Sequence, residues 1–123
     1  MKNSFLFISL FLFFACSTDQ QPVEIQVNPP DSIIPEKQMV LILADVHIIE
    51  AALVIERNRG IDAAPHAAFY YAGLFKKFRI SRKCYQQNLE YYRDDPEVFL
   101  KLYEKVIREL TEREKNFVKS DSP

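Results

Sequence analysis

The chain has 123 residues and a mass of 14.4 kDa, which limits it to one domain plus tails. Sixteen Lys and Arg stand against seventeen Asp and Glu, a net charge of −1, without the basic excess of a dedicated nucleic-acid binder. Two Gly leave no glycine-rich phosphate loop, and two Cys make neither a disulfide scaffold nor a zinc cage by themselves.

The N-terminus reads as an export signal. Lys2 supplies a positive start, and Phe5 to Ala15 follow, apolar except for Ser9. Such a segment spans about 16 Å as a helix, too short for a bilayer core of about 30 Å but suited to a secretory signal. Phe13-Phe14-Ala15-Cys16-Ser17 resembles a bacterial lipobox. The resemblance implies removal of residues 1–15 and acylation of Cys16, which becomes the new N-terminus. An ordinary signal peptide cleaved elsewhere, or an uncleaved anchor, is the alternative. The Phe-rich signal is similar to those of Bacteroidetes lipoproteins. Ser17 to Gln21 carry one acid, Asp19, rather than the acidic cluster of surface-exported lipoproteins, so the expected location is the periplasmic face of the outer membrane. No later segment is expected to cross a membrane.

Residues 16–33 form the expected tether. They are polar, contain Pro22, Pro29 and Pro30, and show no helical period. Four helical patterns then fill residues 34–118. Helix one runs from Pro35 to about Arg57 and stops before Gly60, a candidate C-terminal cap. Met39, Ile42, Leu43, Val46, Leu53 and Val54 share its main stripe; Leu41, Ile48 and Ile55 lie opposite, and Asp45 and Glu56 hold a narrow polar strip. A helix this apolar is central in a bundle or has a face for a partner.

Helix two runs from Ala64 to Phe78, with Asp62 as the expected N-cap and Tyr71, Leu74, Phe75 and Phe78 facing inward. Helix three runs from Arg82 to Arg93, is capped by Ser81, and carries Tyr85, Leu89 and Tyr92 on its stripe. Helix four follows Asp95-Pro96 and carries Phe99, Leu102, Tyr103, Val106, Ile107 and Leu110. Residues 119–123 are expected to fray. The sum is an all-α, small antiparallel bundle of about four helices, with helices two and three as a bent hairpin. Its aromatic core predicts Tyr-to-carboxylate and Tyr-to-backbone hydrogen bonds.

Several fragments follow one another in a definite order along the chain. They are Ile34-Pro35-Glu36, Asp45-Val46-His47-Ile48-Ile49-Glu50-Ala51, Phe69-Tyr70-Tyr71, Phe75-Lys76-Lys77-Phe78, Ile80-Ser81, Tyr91-Tyr92, Pro96 and Tyr103-Glu104-Lys105-Val106. Over residues 34–110 this set resembles the DUF4296 family, small Bacteroidetes lipoproteins of uncharacterised function. Arg79 stands where that turn would be expected to hold a Gly. The resemblance implies a helical envelope lipoprotein and carries no activity.

Four features are candidates for function. Glu50 falls within the main stripe of helix one, with His47 one turn earlier; with Asp45 they form a candidate polar network. The same pair with His66 would make an acid/base or metal site, although helices two to four offer no second such pair. Lys76, Lys77, Arg79, Arg82 and Lys83 cluster at the turn between helices two and three, where they would contact an acidic partner or lipid headgroups. Tyr70 and Tyr91 point sideways, and together these seven residues are the candidate partner surface. Cys84, the remaining thiol, is read as a small buried apolar residue rather than a redox group. No catalytic residue, metal site or cofactor is assigned. The reading is a non-enzymatic accessory tethered to the outer membrane, with an envelope protein as partner. The rivals are a module binding a lipid or glycan fragment and a metal-dependent enzyme using His47 and Glu50.

Overall fold

The computed structural model describes residues 32–120. The lipobox with Cys16, the tether up to residue 31 and residues 121–123 lie outside the described residues. Four helices form: α1 (Glu36–Asn58), α2 (Ala64–Phe78), α3 (Arg82–Asp94) and α4 (Pro96–Ser120). No strand occurs among the described residues, so the all-α expectation holds. The α4 helix continues through Lys119 and Ser120, where fraying was expected.

Local chemistry sets most boundaries. The φ of Gly60 is 75°, and the amides of Gly60 and Ile61 close onto Arg57 O and Glu56 O, ending α1. Ser81 Oγ accepts from Cys84 N at 3.0 Å and starts α3. Asp95 Oδ1 accepts from the amides of Glu97 and Val98 and starts α4. The N-cap of α2 differs from expectation: Ala63 occupies it, while Asp62 Oδ1 binds Ala64 N in a tight local turn. Arg79 ends α2 at φ 54°, ψ 42°. The amides of Arg79 and Ile80 bind Lys76 O and Phe75 O, the closing pattern that glycine favours. An L-residue in this left-handed region costs about 1 kcal/mol.

The α1 helix packs against both α2 and α4, and α3 packs against α4. Asp45 reaches Lys77, Glu50 reaches Tyr71 and Glu56 reaches Tyr70, so α1 and α2 run antiparallel. The hairpin expected of α2 and α3 does not form along their lengths; they meet near their junction, where Phe75 approaches Tyr85 and Arg82.

The core joins Met39, Val40, Ile42, Leu43 and Ala44 of α1 to Leu74, Tyr92, Leu102 and Val106. Ile34 completes it from the segment before α1, held by α3. Asn88 Oδ1 accepts from Ile34 N at 2.7 Å, Asn88 Nδ2 donates to Ser32 O at 2.9 Å, and Tyr92 Oη donates to Ile34 O at 2.7 Å.

Three burial expectations fail. After Ala44, only Leu53 of α1 is fully buried. Glu50 is exposed although its phase is inward. Val54 and Ile107, on the flanks of their stripes, are 45% and 61% exposed. Contrary to expectation, α1 is also long and apolar enough to cross a membrane by length and composition, with a mean hydropathy of 2.0 over its most apolar window. One such helix is weak evidence for a span, since a core helix meets the same test.

Candidate functional site

Three acids of α1 organise the α1–α2 seam. Asp45, expected on the narrow polar strip of α1, has a side chain only 14% exposed. Lys77 Nζ and Arg113 Nη1 each lie 2.6 Å from its carboxylate, joining α1 to α2 and α4. Burial pushes the Asp45 carboxyl up, but the hydrogen bonds and charges of Lys77 and Arg113 outweigh it, leaving the group below its ordinary value. Arg113 also binds Glu109 at 2.7 Å.

Glu56, the second acid of that strip, accepts from Tyr70 Oη at 3.0 Å and lies 2.9 Å from His66 Nδ1. The His66 hydrogen bond is the main cause holding the Glu56 carboxyl below its ordinary value. The hydrogen bond to Glu56, and the charge of that carboxylate, raise the Tyr70 hydroxyl above its ordinary value. Glu50 accepts from Tyr71 Oη at 2.5 Å. Burial, then Glu50, drives the Tyr71 hydroxyl well above its ordinary value. The expected tyrosine partners are present: carboxylates for Tyr70 and Tyr71, a backbone carbonyl for Tyr92.

The expected Asp45–His47–Glu50 network does not assemble. His47 is exposed and packs edge-on against Tyr103 of α4, ring centroids 5.6 Å apart, while Glu50 turns to α2. His66 joins Glu56, not this pair. No group of three metal-capable side chains converges among the described residues. The side chains thus lack the convergence that the metal reading requires.

Of the candidate partner surface, Lys77 is committed to Asp45 and sits 5.2 Å from the Phe78 ring centroid. Arg82 lies 5.5 Å from the Phe75 ring centroid. Lys76, Arg79 and Lys83 are exposed and have no side-chain partner among the described residues. Tyr70 is half-buried by its bond to Glu56, whereas Tyr91 is exposed and packs edge-on against Tyr92. Cys84 is half-buried and free, rather than fully enclosed.

On the other side of α1, Ile48 and Ile55 lie two turns apart and are each 51% exposed, with exposed Ala51 between them. A shallow depression of about 240 Å³ lies at the N-terminal end of α1, lined by Glu36, Lys37, Val40, Leu41, Lys105 and Glu109. Sequence patterning missed Asn88 and Arg113. The available signal for Asn88 was its place on the inner stripe of α3, four residues from both Cys84 and Tyr92.

The profile of the family described as "Domain of unknown function (DUF4296)" matches residues 30–116. The chain belongs to the DUF4296 family. The match covers all of α1 to α3 and most of α4, so the DUF4296 unit coincides with the helical bundle. No curated protein and no solved structure is detectably similar to it.

The Asp45 junction gives a pH prediction. A carboxyl held below its ordinary value stabilises the fold above the unfolded value, about 3.9, and loses that contribution as pH falls through the folded value. Asp45→Asn is expected to lower stability by about 1 kcal/mol at neutral pH. In thermal unfolding, the gap between the variant and the native chain should narrow as pH falls below the unfolded value. A gap constant with pH would show that the charge of Asp45 is not what matters.

Proposed function

We propose that this DUF4296 protein is a non-enzymatic accessory, anchored through Cys16 to the outer membrane and facing the periplasm, which docks onto an envelope protein. The observation that carries the reading is the outer face of α1. Only 33% of its most apolar window is buried within the bundle, and Ile48, Ala51 and Ile55 remain exposed along one side. Exposed apolar surface of this kind marks interaction sites. The lipobox-like sequence supplies the anchor, and the tether lets the domain stand off from the membrane.

The test is affinity purification of the full chain from cross-linked, detergent-solubilised membranes, beside an Ile48→Glu/Ile55→Glu variant. One envelope protein in stoichiometric yield with the native chain, and its loss with a variant of unchanged circular dichroism, is the expected result. Recovery of the native chain alone, or a partner retained undiminished by the variant, would overturn the reading.

A further inference from the structure

The net charge near zero hides a segregation. Residues 63–89 contain five Lys and Arg and not one Asp or Glu. All five cations gather within Lys76 to Lys83, around the junction of α2 and α3. Of these, Lys77 has the Asp45 carboxylate, whereas Lys76, Arg79 and Lys83 have no acid in contact among the described residues.

Intramolecular stability does not explain Arg79. It occupies a left-handed position at φ 54°, where an arginine is less favourable than glycine, and its side chain makes no compensating contact among the described residues. Phe69 adds an independent observation. It is 75% exposed, the most exposed large apolar side chain among the described residues. It precedes Lys76 by two helical turns on the same outward face of α2, with exposed Ala72 and Gly73 between them. A protruding aromatic beside a cation cluster, on a segment that itself carries no acid, fits contact with an anionic lipid interface. Three of the five cations are Lys, a residue depleted at protein–protein interfaces, so a protein partner fits this face less well.

We infer that the α2–α3 face of this protein docks on an anionic lipid surface, with Phe69 entering the headgroup region and Lys76, Arg79 and Lys83 contacting lipid phosphates. The face is argued from its own residues and needs neither the Cys16 anchor nor the α1 partner. It lies on other helices than Ile48 and Ile55.

The chain contains no Trp, so Phe69→Trp places one unique reporter on this face. The full chain carrying it is titrated with phosphatidylcholine vesicles and with vesicles that also contain phosphatidylglycerol. The expected result is a blue shift and quenching by nitroxide-labelled lipid on the anionic vesicles only, reversed by high salt. Adding Lys76→Gln, Arg79→Gly and Lys83→Gln should weaken the response on the order of 100-fold. Arg79→Gly relieves the left-handed residue, and circular dichroism of the combined variant checks that its fold is retained. Equal emission on both vesicles, shifted or not, would overturn the inference, as would a full response from the charge-depleted variant. If this face instead captures an acidic protein with no lipid response, the inference is also lost. Retention of the chain by vesicles after a salt wash reports separately on the anchor.

Discussion

Asn88→Ala is expected to destabilise the protein by about 3 kcal/mol, because it orphans a buried amide and releases the segment ahead of α1. Asn88 is fully buried, and its partners define the amide's orientation: its oxygen faces the Ile34 N–H, while its nitrogen faces the carbonyls of Ser32 and Cys84. Alanine supplies neither group. The Ile34 N–H then lies in a site that is only 4% exposed, without an acceptor. If Ile34 lifts away to find water, the core loses that side chain as well. Tyr92→Phe is the graded control, removing only the bond to Ile34 O, at about 1 kcal/mol. Asn88→Asp should not rescue, since it keeps the acceptor but turns a carboxyl oxygen toward two carbonyls. Urea unfolding of the full chain gives the magnitudes, and hydrogen exchange at the Ile34 amide locates the loss. A cost for Asn88→Ala no larger than that of Tyr92→Phe would contradict the account.

Leu102→Ala should cost about 3 kcal/mol, and Ile107→Ala less than about 0.5 kcal/mol. Both residues belong to the apolar pattern of α4, and their periodicity alone does not separate them. Leu102 has no exposed surface and lies in one core with Met39, Ile42, Leu43 and Val106. Truncation there leaves a cavity between α1 and α4 that rigid neighbours cannot fill. Ile107 is 61% exposed at the stripe's edge, so the same deletion removes little buried surface. Thermal unfolding of the two variants measures the contrast. Equal costs would mean that α4 is rotated about its axis relative to α1.

The same contrast bears on the candidate residues. Local signals acted where the relevant atoms are close in sequence. Ser81 and Asp95 cap their helices because a side-chain oxygen meets amides two or three residues later. Gly60 ends α1 because it tolerates a positive φ. Arg79 falls at the turn where glycine was expected and adopts the conformation glycine prefers. The aromatic core announced its polar partners, since a covered Tyr hydroxyl requires one. Glu50 was different. Its helical phase points inward, but phase says nothing about how closely a neighbouring helix covers that position of α1. It meets Tyr71 at the edge, and His47 turns to Tyr103, so a pair one turn apart on one helix is divided between two neighbours.

The sequence by itself determined the helices, their caps, the membership of most core residues and the DUF4296 family, because period, capping and ordered motifs are local or linear properties. Only the tertiary structure decided that Asn88 holds Ser32 and Ile34 across a separation of more than fifty residues. It also decided that Asp45 bridges Lys77 and Arg113, that Glu56 gathers Tyr70 and His66, and that α1 keeps Ile48 and Ile55 exposed. Those outcomes depend on which helix covers which length of its neighbour. Cover is set by the crossing of elements far apart in the chain, and no period within one helix encodes it.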